Sequence, residues 1–108
     1  MKDQHTKIKG YRDLSQAEID LMNEIKAKGQ ELAALNAKVT AYLATAAESK
    51  KADAERSKLA PEDEASDECV EYRRFAAAEP LRWAAIARTH FQEGLMALTR
   101  SVAQPTTF

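Results

Sequence analysis

The sequence predicts an all-α protein, an antiparallel two-helix hairpin preceded by a short basic segment. Two observations carry this. Across 108 residues glycine and proline number only three each, while alanine and charged residues abound, a balance that favours helices over strands and tight turns. Two stretches also repeat apolar residues at alternating spacings of three and four, the signature of helices packed along a seam.

The first element begins at Ser15. Ser15 and Glu18 fit a capping box, and Leu14 with Ile19 fits the apolar staple that often flanks one. From there Met22, Ile25, Gly29, Leu32, Asn36, Val39 and Leu43 form the first seam, so helix one is placed at 15–47. Residues 48–79, "ESKKADAERSKLAPEDEASDECVEYRRFAAAE" with its neighbours, read as a polar helical tip or loop with its reversal near Pro61. A second helix restarts at Pro80 and runs to 104, ahead of Pro105. Its seam is Leu81, Ala84, Arg88, Phe91, Leu95, Leu98 and Val102. Laid antiparallel, the seams pair Ile25 with Leu98, Leu32 with Phe91 and Val39 with Ala84. This register puts Gly29 opposite Leu95 and makes a polar layer of Asn36 and Arg88. The chain forms a single domain, of which residues 1–14 are the N-terminal segment.

Leu21, Leu35 and Tyr42 flank the first seam, and Trp83, Ile86, Met96 and Ala97 flank the second. One hairpin cannot hide that much apolar surface, so a homo-oligomer is expected. A protein adaptor using those stripes is the alternative from the same observation.

Composition also excludes functions. The net charge is −1, with basic ends and an acidic middle, so no general face for a DNA or RNA polymer is expected. Cys69 is the single cysteine, and His5 and His90 stand in no ligand spacing, so neither a disulfide nor a metal site is predicted. No apolar run reaches membrane-spanning length. Phosphate-binding loops and nucleophile elbows are missing, and acidic pairs such as Asp20 and Glu24 have the spacing of a solvated helix face. A non-enzymatic, cofactor-free protein of a reducing compartment is the expectation.

One constellation is left over. Lys7, Lys9 and Arg12 surround Gly10 and Tyr11 just before the helix start. Cations suit phosphate, an aromatic face suits a base, and glycine admits close approach. Lys26 stands about three turns into helix one, within reach of a ligand held by a neighbouring subunit. On residue types alone, Tyr11 packing on a helix with ordinary surface lysines around it is the preferred explanation of the pattern. A second cluster, "RWAAIARTHFQEG", offers Arg82, Arg88 and Thr89 with Trp83 beside them. His90 reads as a structural histidine.

With "KIKGYRDLSQAEIDLMNEIK" and "RWAAIARTHFQEGLMALTRSVAQP" in view, the chain resembles the phage anti-CBASS sponges, whose helical hairpin domain is shared with the phage Thoeris anti-defence sponges. The resemblance rests on about residues 5–43 and 80–107, with 47–79 outside it. It implies sequestration, without cleavage, of the cyclic oligonucleotide messengers of CBASS immunity, cyclic dinucleotides such as cGAMP included, in the host bacterial cytoplasm. A cyclic ADP-ribose-type signal is the alternative ligand. A homohexamer is implied, with Gly10, Tyr11, Arg12, Lys26 and Lys9 at a dinucleotide site between subunits. Arg82, Arg88 and Thr89 are candidates for a separate cyclic trinucleotide site.

Overall fold

The computed structural model describes residues 12–107, and all of their regular structure is helical. Helix α1 spans Gln16–Ser57, α2 Asp67–Ala78 and α3 Pro80–Ala103. Contacts divide the chain into two compact units. One holds the residues up to Ala33 and those from Thr89 onward; the other is Ala34–Arg88. Both long helices contribute to each.

In the first unit, the predicted capping box is formed. The Glu18 N–H donates to Ser15 Oγ at 3.2 Å, and the Ser15 N–H donates to Glu18 Oε1 at 2.8 Å. These bonds satisfy donors that a helix start leaves unpaired. Gly29 faces Leu95 as the register required: a Cβ at Gly29 would lie 3.1 Å from Leu95 Cδ1. The missing side chain is therefore what lets α1 and α3 approach closely there. The expected partner of Ile25 differs. Leu98 is 52% exposed, and Thr99, in the line of Leu95 and Val102, is the half-buried residue instead. Both choices keep the alternation of three and four, and hydropathy alone prefers leucine.

In the second unit, α1 runs ten residues beyond the expected end at residue 47. The inward line continues through Ala47, Lys50, Ala54 and Ser57 at the same alternating spacing, but in small and polar residues that hydropathy does not detect. Ala54 is buried, as are Cys69 and Phe75 of α2, where a loop had been as plausible as a helix. Lys50 serves this packing through its stem and its charge. Its Nζ lies 2.9 Å from the Glu71 carboxylate and 5.7 Å from the centre of the Phe75 ring. Arg74 donates twice to Glu71, each at 2.7 Å. Arg74 first and Lys50 second hold the Glu71 carboxyl down at about 2.

A directed run of hydrogen bonds ties the end of α1 to the start of α2. The Cys69 N–H donates to Ser66 Oγ at 3.0 Å, capping α2. Ser66 and Ser57 hydroxyls lie 2.6 Å apart, and Ser57 donates to the Ala54 carbonyl at 2.8 Å. With Ser57 spent on Ala54, Ser66 is the donor between the two serines. The reversal around Pro61 is held by Asp63, whose carboxylate accepts the N–H of Ala65 at 3.0 Å and of Leu59 at 3.3 Å. Those two N–H groups, Ala65 before Leu59, hold its carboxyl below the usual range.

The polar layer is not the predicted one. Asn36 Nδ2 donates to the Ala84 carbonyl at 2.9 Å, and Arg88 is exposed. A short amide reaches the spare lone pair of a helical carbonyl, whereas a guanidinium keeps its charge in water at little cost.

Pro80 and Pro105 follow helix ends of one kind. Glu79 (φ 50°) and Gln104 (φ 55°) both take the left-handed conformation, and each precedes a proline. At Glu79 the N–H closes α2 on the Ala76 carbonyl, and the carbonyl opens α3 by accepting the Trp83 N–H. A side chain strains that conformation, the more so before proline. Glu79→Gly is expected to raise stability by about 1 kcal/mol in urea unfolding, the usual cost of a β-carbon in this region; a fall would show that the freedom glycine gives the unfolded chain, with loss of the 3.6 Å Glu79–Arg82 ion pair, outweighs the strain.

Candidate functional site

Two helices meeting at a glycine leave a groove where the side chains diverge, and in the first unit that groove has a volume of about 680 Å³. Met22, Ile25 and Gly29 of α1 and Leu95, Met96 and Thr99 of α3 line it, with Pro105 beyond the end of α3. Besides Thr99, its polar members are Asn23, Lys26 and Arg100. An apolar trough bordered by a cation from each helix suits a ligand with flat apolar faces and negative charge.

Lys26 thus stands at the groove, on an exposed face of α1. Arg100, Asn23 and Thr99 were not singled out in the sequence. The register held the signal: with Gly29 against Leu95, the turn of α1 before Gly29 must face the turn of α3 after Leu95. Arg100 also donates to the Thr107 carbonyl at 3.3 Å, drawing the residues after α3 toward the same end.

Arg12 sits at that end too, where the sequence had it as a phosphate ligand. Its two terminal nitrogens grip the Glu18 carboxylate at 3.1 and 2.5 Å, and one of them also donates to the Val102 carbonyl at 2.9 Å. The Arg12 hydrogen bond is the main cause, and Ser15 the next, of a Glu18 carboxyl held down at about 2. Lys9, Gly10 and Tyr11, and Lys7 with them, lie outside the described residues.

The second cluster is distributed differently. Arg82 lies 3.6 Å from the Glu79 carboxylate and covers the Trp83 ring, 5.2 Å from its centre. Trp83 is 58% exposed. Arg82 and Arg88 belong to the second unit and Thr89 to the first. Arg82 and Arg88 are six residues apart on α3 and point to different faces, since each residue turns a helix by about 100°. His90 is exposed rather than packed, with Nδ1 3.5 Å from the Glu93 carboxylate. Among the described residues no group of side chains is arranged to hold a metal, and no helix is long and apolar enough to cross a membrane.

Comparison with known families locates this architecture. The family described as Acb2/Tad1, hairpin domain, matches residues 3–103. The chain belongs to the Acb2/Tad1 hairpin family. A curated relative, Anti-CBASS protein 2 of Pseudomonas phage JBD67, is 62% identical over 105 residues, covering 97% of each chain. Both matches run through residues 47–79, which the motif resemblance had left outside. That stretch carries small and polar packing residues rather than a recognisable motif, so it is part of the Acb2/Tad1 hairpin without advertising the fact.

Acid should separate the role of Glu18 from that of other surface carboxylates. Its folded value of about 2 lies below the ordinary 4.5, so its contribution is complete above that ordinary value and is lost as pH falls toward 2. Thermal melts followed by circular dichroism across this window should show a shallower loss of stability in Glu18→Gln than in the parent. Equal slopes would mean that the Arg12–Glu18 contact does not persist in solution.

Proposed function

We propose that this protein is a non-catalytic sponge that binds cyclic oligonucleotide messengers intact and so blocks bacterial CBASS defence. The observation that carries the reading is 62% identity to Anti-CBASS protein 2 over 97% of both chains. The groove supports it, because Lys26 and Arg100 beside an apolar floor suit the phosphates and bases of a cyclic dinucleotide such as cGAMP. The protein acts in the host bacterial cytoplasm, as a phage product would.

In this reading the hairpin is antiparallel and assembles as a homohexamer, with dinucleotide held between subunits. Lys26 meets phosphate, Tyr11 stacks on a base, and Lys9 and Gly10 complete the approach. Exposed apolar residues are what such an assembly would cover: Tyr42 is 73% exposed and Leu35 56%. Arg82, Arg88 and Thr89 remain the candidates for a cyclic trinucleotide. Retention needs no chemistry on the ligand, so no catalytic residue is assigned.

Calorimetric titration with cyclic di- and trinucleotides and a cyclic ADP-ribose, followed by denaturation and chromatography of the ligand, tests the proposal. Tight binding of a cyclic dinucleotide and its recovery uncleaved are expected. Tyr11→Ala and Lys26→Ala should each weaken that binding by about tenfold or more, the cost of one stacked base or one charge-assisted phosphate contact. Both variants should keep the parent's mass in solution. A cleaved ligand would make the protein an enzyme; preference for the cyclic ADP-ribose would move it to Thoeris signals; no binding at all would favour a protein adaptor.

A further inference from the structure

The guanidinium of Arg12 has little left to offer a ligand. Arginine carries five N–H donors, of which the four on its two terminal nitrogens do most of its gripping. One terminal nitrogen donates to Glu18 Oε1 at 3.1 Å and to the Asp13 carbonyl at 3.3 Å; the other donates to Glu18 Oε2 at 2.5 Å and to the Val102 carbonyl at 2.9 Å. Bidentate capture of a phosphate needs two parallel N–H groups, and every such pair on this side chain includes at least one already spent. The carboxylate also cancels the charge that would attract an anion.

Its partners show what those bonds achieve. Glu18 is fixed independently by the capping box with Ser15 in the first turn of α1. Val102 lies in the last turn of α3, where helical carbonyls lack N–H partners and a cation is favoured. Arg12 therefore bolts the start of α1 to the end of α3. The join lies two residues along α3 from Arg100, which lines the groove with Lys26.

We infer that Arg12 is a positioning residue: bridged by Glu18 and the Val102 carbonyl, it holds the start of α1 against the end of α3 beside the groove, and it does not itself bind phosphate. This rests on the cyclic-dinucleotide reading above. A groove whose helix ends are held in the binding arrangement binds in full; one that must find that arrangement loses affinity by the fraction of time it is there.

The sign of one substitution separates positioning from direct contact. Glu18→Gln removes a negative charge near an anion site while keeping an oxygen for the Ser15 N–H. If Arg12 bound phosphate directly, freeing it from Glu18 would tighten binding. Positioning predicts the opposite, a loss of about tenfold, reflecting helix ends in place about a tenth of the time. Arg12→Lys should lose a similar amount, because an ammonium cannot reproduce the planar fork. Arg12→Ala combined with Glu18→Gln should be no weaker than Arg12→Ala alone.

The measurement is the Kd for cyclic GMP–AMP by calorimetry at two salt concentrations, on variants that circular dichroism shows to be folded. Arg12→Ala and Glu18→Gln should leave the salt dependence of the parent unchanged, whereas Lys26→Ala should flatten it. Parent-like or tighter binding by Glu18→Gln, or a flattened salt dependence in Arg12→Ala, would overturn the positioning role. If the parent itself failed to bind, or Lys26→Ala bound as well as the parent, the sponge reading would fall and this inference with it. Loss in Lys26→Ala with unchanged Arg12→Lys and Glu18→Gln would overturn the inference alone.

Discussion

A helix packed against one neighbour can bury only one stripe of its surface, and that limit governs this chain. Among the described residues just Ala54, Cys69, Phe75 and Ala84 are buried, all of them in the second unit, and no large side chain is wholly enclosed. Hydrophobic burial alone therefore does little to set the positions of the helices. Placement falls to contacts at defined points. Gly29 sets a close approach to Leu95, and Asn36 reaches the Ala84 carbonyl. Serine hydroxyls couple α1 to α2, and Arg12 couples the ends of α1 and α3.

The same limit connects the fold to its proposed activity. Side chains that cannot be hidden within one chain are available to a second copy or to a ligand. In the first unit the outcome is a groove with an apolar floor and a cation on each bank. A sponge needs such a surface and no reactive group, since its work is retention. Ion pairs and caps at the helix ends matter here more than in a larger protein, because the ends of α1 and α3 frame the groove.

Much of this was legible from residue order. The capping box, the seam through Leu43 apart from the exposed Val39, the contact of Gly29 with Leu95 and the restart at Pro80 follow from spacing and from proline chemistry. Lys26 was singled out for its place about three turns into helix one, and it stands at the groove. Hydropathy does not register small and polar packing residues. Ala47, Lys50, Ala54 and Ser57 continue the seam without apolar side chains larger than a methyl, so α1 looked ten residues shorter than it is. Thr99 lost to Leu98 for the same reason. Arg100 carries no signal of its own, since a basic residue in a last helical turn has an ordinary explanation.

The sequence by itself determined that the chain is helical, where α1 begins, where α3 begins and ends, and which family it belongs to, because caps, prolines and periodicity act over a few residues. Only the tertiary structure decided what the charged groups do. Arg12 read as a free cation and is a bridge; Arg88 read as a seam residue and faces water; Lys50 read as part of a solvated tip and packs over Phe75. A charged side chain takes its role from whichever partners lie within about 4 Å, where the attraction is strong enough to matter. Val102 stands ninety residues from Arg12 along the chain, and no local pattern announces that they meet.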